Sequence, residues 1–161
     1  MKIATFSEFL FLSLLAFCFT TSLVGATTHP DEVKALKEIA KTLGKKDWNF
    51  TIDPCIGDPT WSKPKDGVIQ NNVSCNCSIP DDNFCHVVII YLTGQNLQGS
   101  LPPELIKLPH IEQIDFSRNY LNGTIPKEWA SLKLQNISLL GNRLSGEIPV
   151  EVAKITSLRC L

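Results

Sequence analysis

The chain has 161 residues, 43% of them hydrophobic, and its 15 basic and 16 acidic side chains leave a net charge of −1. That length holds one domain. The balanced charge carries no basic footprint for nucleic acid.

The first segment reads as a targeting signal. Lys2 gives a positive start, Phe9 to Phe19 is an apolar run, and Val24-Gly25-Ala26 is a small-residue cleavage pattern. Residues 1–26 are therefore expected to be a signal peptide, with the mature chain starting at Thr27. The run of about 11 residues is too short for a membrane anchor, which needs about 20. Losing Lys2 and Glu8 leaves 14 basic and 15 acidic residues, so the net charge is unchanged. No second long apolar run follows Ala26, so the chain as written is expected to be secreted, without a membrane span.

Asp31 to Leu43 predicts an amphipathic helix, with Pro30 before it, acidic residues at its start, Lys41 near its end and Gly44 as the stop. Val33, Leu36, Ala40 and Leu43 fall on one stripe at helical spacing. Trp48, Phe50 and Trp61 follow as aromatics that suit a plug over an apolar end better than a ligand cage. From Pro54 to Phe84 the chain is rich in Pro, Gly, Asn and Asp and reads as irregular, held by cystines.

Cys55, Cys75, Cys77 and Cys85 cluster within 31 residues, Cys18 leaves with the signal, and Cys160 has no evident partner. With His86, three of these could be written as a zinc set, but the secretory route and the fourth nearby cysteine favour disulfides. Four cysteines allow three connectivities. Cys75 and Cys77 are too close in an extended chain to pair comfortably, which leaves two. Asn-x-Ser/Thr sequons stand at Asn49, Asn72, Asn76, Asn122 and Asn136, a density that suits a glycosylated surface protein. Some of the five, though not necessarily all, are expected to be used.

Three segments superimpose at offsets of 24 and 23 residues: those beginning at Ile90, Ile114 and Ile137. Each runs apolar-x-apolar, then reaches Leu, Gly, Leu or Ile, and Pro in register, as in Ile114 to Pro126. The apolar pairs Ile90/Leu92, Ile114/Phe116 and Ile137/Leu139 alternate as strands do, putting these side chains inward. Asn119 and Asn142 then turn in as an amide ladder that bonds the main chain of the bend and the next coil, with Gln95 in that place in the first copy. Gly99, Gly123 and Gly146 let the chain turn without a Cβ penalty. A single coil cannot bury its own face, so the copies must stack into a solenoid.

The repeat pattern LxLxxNxLxGxIP, preceded by Asp53-Pro54-Cys55, Trp61 and Val73-Ser74-Cys75, resembles the extracellular part of plant leucine-rich-repeat (LRR) receptor-like Ser/Thr kinases over essentially the whole mature chain. Trp48-Asn-Phe50, Cys75-Asn-Cys77, Cys85-His-Val87 and Asn119 to Pro126 look most like the subgroup that adds a malectin-like domain. Asn72 stands where that cap usually has Gly, and the loop before it is longer. The resemblance implies an α/β solenoid: a plant-type right-handed LRR coil with a helical, disulfide-stabilised N-terminal cap. It also pairs Cys55 with Cys75, leaving Cys77 with Cys85. On this reading residues 27–86 form the cap, 87–157 three repeats of 23–24 residues, and 158–161 the start of a truncated fourth.

The chain has no kinase motif, and no nucleophile at a recurring active-site spacing, so it is expected to be a binding module without enzyme activity or cofactor. His29, His86 and His110 read as spread over cap, cap edge and loop, and Asp81-Asp82 as loop charges. Outward positions of the stacked strands would then bind: Val88, Ile89, Tyr91 and Thr93; Glu112, Gln113, Asp115, Ser117 and Arg118; Gln135, Asn136, Ser138 and Leu140. Of these, Tyr91, Glu112, Asp115, Arg118 and Ser138 are the selected surface. The expected partners are a peptide, glycan or protein ligand, or another LRR receptor, in the apoplast. The alternatives are a secreted LRR inhibitor of a wall-degrading enzyme, or a truncated product without a partner.

Overall fold

The computed structural model describes residues 26–63 and 66–161. The signal peptide assigned to residues 1–26, with Cys18, lies outside the described residues except for Ala26.

Helix α1 (Pro30–Leu43) begins with a proline, whose fixed φ suits a first helical position, and the His29 ring accepts the Asp31 N–H at 3.3 Å. It ends at Gly44, left-handed at φ 76°. Its buried face is Glu32, Ala35, Leu36, Ile39, Ala40 and Leu43. Val33, read from sequence as part of the stripe, is only half-buried. The true stripe centres on Leu36, Ile39 and Leu43, so Val33 falls at its edge.

The C-terminal end of α1 docks on the first repeat. Gly99 and Ser100 donate their N–H groups to Leu43 O and Thr42 O at 3.2 and 3.0 Å, satisfying carbonyls that a helix end leaves open. A Cβ on Gly99 would sit 1.9 Å from Thr42 O. This corrects the reason for that glycine. Gly123 and Gly146 are turn residues at φ 82° and 78°, but Gly99 is required by the close approach of two backbones.

Among the described residues six short strands follow: β1 (Asn72–Asn76), β2 (His86–Tyr91), β3 (Gln113–Asp115), β4 (Asn122–Gly123), β5 (Asn136–Ser138) and β6 (Arg143–Leu144). One sheet has the order β1-β2-β3-β5, antiparallel at its first pair and parallel thereafter; β4 and β6 form a second, parallel pair. Between successive strands the chain returns through 3-10 turns at Pro103–Lys107 and Lys127–Ser131, and a third follows at Val152–Lys154. Strand β1 lies inside the segment read as irregular. Only Val73 of its five residues is buried, so hydropathy barely signals it. It forms because β2 offers an open edge.

The inward columns are buried as the alternation implies, with Ile90, Leu92, Ile114, Phe116 and Ile137 at 3% exposure or less. Leu139 is half-buried and lines an open cavity with Ile125, Leu144, Ile148, Cys160 and Leu161. Trp129 is fully buried and donates its indole N–H to Pro102 O at 2.9 Å, bridging adjacent copies of the repeated segment. Trp48, Phe50 and Trp61 pack on one another with centroids 4.9–6.2 Å apart. Disulfides join Cys55 to Cys75 and Cys77 to Cys85, while Cys160 is free and exposed. Cys160 also pairs in parallel with Asn136, so the last residues run beside β5 as a further strand would.

Candidate binding surface

The strand register sorts the outward residues into two rows. Asn72, Tyr91, Asp115 and Ser138 are successive partners in one; Ser74, Ile89, Gln113 and Asn136 are partners in the other. All eight are half-buried, and the row between them, Val73, Ile90, Ile114 and Ile137, is buried. Three of the five selected residues thus share one line. Glu112 lies just before β3, exposed, and accepts from the Gln135 amide at 3.0 Å; Arg118 lies beyond β3, also exposed.

Tyr91 donates its hydroxyl to Gln113 Oε1, which ties the two rows together. Burial, and then the nearby Asp115 charge, push the Tyr91 pKa above its ordinary value, so the phenol stays a neutral donor. Asp115 accepts from the Ser117 N–H at 2.8 Å and from its hydroxyl, both at one carboxylate oxygen; the other makes no hydrogen bond among the described residues. Ser117 and Thr93, read as outward, are buried. Both follow the last strand residue, where the chain has begun to turn under the sheet.

Arg118 holds φ 57°, a left-handed conformation that costs a residue with Cβ about 1 kcal/mol or more. The corresponding positions in the neighbouring copies are Gly94 and Gly141, at φ 67° and 73°. One copy therefore carries a charged side chain at a site where its neighbours have glycine.

The turns beneath are held by side-chain amides. Asn119 accepts from the N–H groups of Gln95 and Leu97 and donates to the carbonyls of Leu92, Phe116 and Ser117, at 2.7–3.1 Å. Asn142 accepts from Leu121 N–H and donates to Phe116 O and Leu139 O. Gln95 instead reaches Gln70 O and accepts from the buried Lys45 ammonium at 2.8 Å. Lys45 also pairs with Asp47, and its burial still holds its pKa below the ordinary lysine value.

A second cluster has no local signature in the sequence. His86 is 4% exposed, with Nδ1 2.6 Å from Glu32 and Nε2 2.9 Å from Asp82. The other Glu32 oxygen accepts the Val87 N–H at 2.7 Å. His29 and His110 stand 5.6 and 4.4 Å from the His86 ring, so the three histidines are gathered, not spread. Burial opposes the imidazolium, but the hydrogen bonds and charges of Glu32 and Asp82 outweigh it and raise the His86 pKa. The available signal was Glu32 itself, an acid at i−4 from Leu36 on the apolar stripe. Among the described residues no three His, Cys, Asp or Glu groups are placed to hold a metal.

The sequons differ in setting. Asn76 and Asn122 are exposed; Asn49, Asn72 and Asn136 are half-buried. Asn72 accepts from Ser62 and donates its amide to Ser74, the hydroxyl of its own sequon.

Residues 110–132 match the Leucine Rich Repeat family. Two Arabidopsis thaliana proteins, each described as a probable LRR receptor-like serine/threonine-protein kinase, are 50% and 44% identical over 81% and 95% of this chain. The chain spans only 13% and 15% of their lengths. Among solved structures, the LRR ectodomain of the receptor kinase SOBIR1 from Arabidopsis thaliana superposes with a TM-score of 0.66 at 22% identity, covering 85% of this chain and 67% of that one. A plant ice-binding protein gives 0.62 at 26%, over 84% and 40% of the two chains. The BIR3–SERK2 complex from Arabidopsis thaliana gives 0.54 at 26%, over 81% and 66%. No helix of the described residues is long and apolar enough to cross a membrane. The sheet, parallel from β2 onward, the two disulfides and these relatives agree: the chain is a leucine-rich-repeat protein similar to part of the LRR region of plant LRR receptor-like serine/threonine kinases.

Proposed function

We propose that this chain is an extracellular recognition segment of a receptor-like kinase, in which Tyr91, Glu112, Asp115, Arg118 and Ser138 face a peptide, glycan or protein ligand or a second LRR receptor. The observation that carries this reading is the pair of registered outward rows, half-buried and polar except at Ile89, on either side of a buried apolar row. Residues 27–86 then act as the N-terminal cap of a right-handed solenoid, 87–157 as three repeats and 158–161 as the beginning of a fourth. A neighbour of this fold is seen in complex as BIR3–SERK2, which favours a protein as one class of partner. Three strands about 4.8 Å apart offer only about 250 Å² of face, against about 800 Å² per partner in a standard interface. This chain therefore forms one edge of a larger surface and binds weakly alone.

The test is capture of plant membrane and wall proteins by the secreted, glycosylated chain, compared with a Tyr91→Ala/Asp115→Ala double variant. Receptor ectodomains or secreted peptides held by the wild type and lost from the variant support the reading. A bound fraction of wall-degrading enzymes alone would overturn it in favour of an inhibitor.

A further inference from the structure

Strand β4 begins at Asn122, whose neighbours in sequence and space are unlike those of the other sequons. The sequon Asn122-Gly123-Thr124 is exposed throughout. Leu121 points inward and is buried, so Tyr120 and Asn122, two residues apart, emerge on the same side. Arg143 is the strand partner of Asn122 in β6, and its guanidinium lies 4.8 Å from the centre of the Tyr120 ring. Tyr120, Asn122, Arg143 and Gln98 line one open groove of about 560 Å³. Tyr120 remains 43% exposed, a large aromatic with a cation over its ring yet left uncovered. Among the described residues the Asn122 carboxamide makes no hydrogen bond, whereas the Asn72 amide nitrogen is engaged with Ser74.

We propose that Asn122 carries an N-linked glycan and that Tyr120, steadied by Arg143, is the platform on which its first N-acetylglucosamine packs. The donor is a lipid-diphosphate-linked oligosaccharide of the secretory route. The carboxamide nitrogen displaces the diphosphate at sugar C1: a C1–N bond forms, the C1–O bond breaks, the nitrogen gives up one proton, and the lipid diphosphate leaves with the bonding pair. Nothing is oxidised or reduced. A pyranose has an apolar face of C–H bonds, and an exposed aromatic ring two residues before the modified asparagine is placed to cover it. The sugar is anchored on the two-stranded sheet, not on the sheet that carries Tyr91 and Asp115. The inference rests on secretion, which the two disulfides support, and is independent of what the outward rows bind.

The test uses the mature chain secreted from plant cells and trimmed to single N-acetylglucosamine residues. The Asn122 peptide is expected to retain one sugar by mass, and the N-acetyl and pyranose protons of that sugar to be shifted upfield by the aromatic ring current. Tyr120→Leu should abolish the shift and Tyr120→Phe preserve it. Asn122→Gln should lower Tm relative to the trimmed protein by about 2–4 °C. An unmodified Asn122 in otherwise secreted protein, or sugar protons that Tyr120→Leu leaves unmoved, would overturn the proposal. Loss of ligand capture with the sugar shift intact would count against the binding face alone.

Discussion

Glu32 and His86, 54 residues apart, meet at 2.6 Å in a site where both side chains are almost fully buried. The pair joins the first turn of α1 to the start of β2, and Asp82 completes it from the loop that the Cys77–Cys85 disulfide closes. Both ring nitrogens face carboxylates, so each donates when the ring is an imidazolium. The raised His86 pKa means that this stability is fully present below the unfolded value of about 6.5 and is lost as pH rises through the folded value. Asp82 behaves oppositely: the Phe84 N–H, then His86, lower its pKa, so its contribution is lost as pH falls below about 4. Urea-unfolding stability should therefore plateau between about pH 4 and 6.5 and fall above it. Glu32→Ala should lower stability at pH 6 by about 3–5 kcal/mol, because it takes one of two carboxylates from a buried imidazolium and the acceptor from the Val87 N–H. His86→Gln should flatten the alkaline slope; an unchanged slope would exclude His86 as its source.

Gly99 gives a steric prediction. Its missing Cβ would lie 1.9 Å from Thr42 O and 2.7 Å from Leu43 C, both backbone atoms that cannot swing aside. Gly99→Ala should cost about 3 kcal/mol or more, beyond ordinary overpacking, by separating α1 from the first repeat. Gly57→Ala, at φ 76° with nothing within 4 Å, should cost only about 1 kcal/mol of backbone strain. Thermal melts of the two variants check the contrast.

Residues that repeat are the legible ones, and contacts made once are not. Ile90, Ile114 and Ile137 recur with their partners at one period, so the inward column follows from the amino-acid pattern alone. Gly44 reads as a stop because its chemistry is local. Strand β1 escapes because its pairing with β2 is specified by an edge and not by its own polar alternation. The Glu32–His86 pair escapes because nothing local joins a helix acid to a histidine beyond two disulfide loops. Gly99 is recognised for the wrong reason, since spacing shows that a glycine recurs but not which backbone presses on it. In the candidate surface, Tyr91, Asp115 and Ser138 follow from strand alternation, whereas the burial of Thr93 and Ser117 depends on where each strand ends.

Asn119 and Asn142 occupy the same place in successive copies of the repeated segment but not the same environment. Asn119 is buried and makes five bonds; Asn142 is half-exposed and makes three. Replacing the amide by a carboxylate removes every donor while keeping the acceptors, and turns a charge toward carbonyl oxygens. Asn119→Asp should cost about 3 kcal/mol or more and Asn142→Asp about 1–2 kcal/mol, since water can reach the second site. Equal losses in denaturant titrations would argue against burial of the amide as what separates the two sites.

Arg118 offers the cleanest separation of binding from stability. It is exposed, and its left-handed backbone is one that Gly94 and Gly141 adopt at the corresponding positions. Arg118→Gly relieves the φ strain of about 1 kcal/mol but loosens the unfolded chain by a similar amount, so Tm should stay within about 3 °C of wild type. Arg is enriched among the residues that dominate interfaces, and the variant removes the guanidinium without disturbing the turn. For a partner seated on the outward rows, affinity should drop about tenfold, read by surface plasmon resonance with matched melting curves. A variant that melts normally and binds undiminished would remove Arg118 from the surface and leave Tyr91 and Asp115 as its centre.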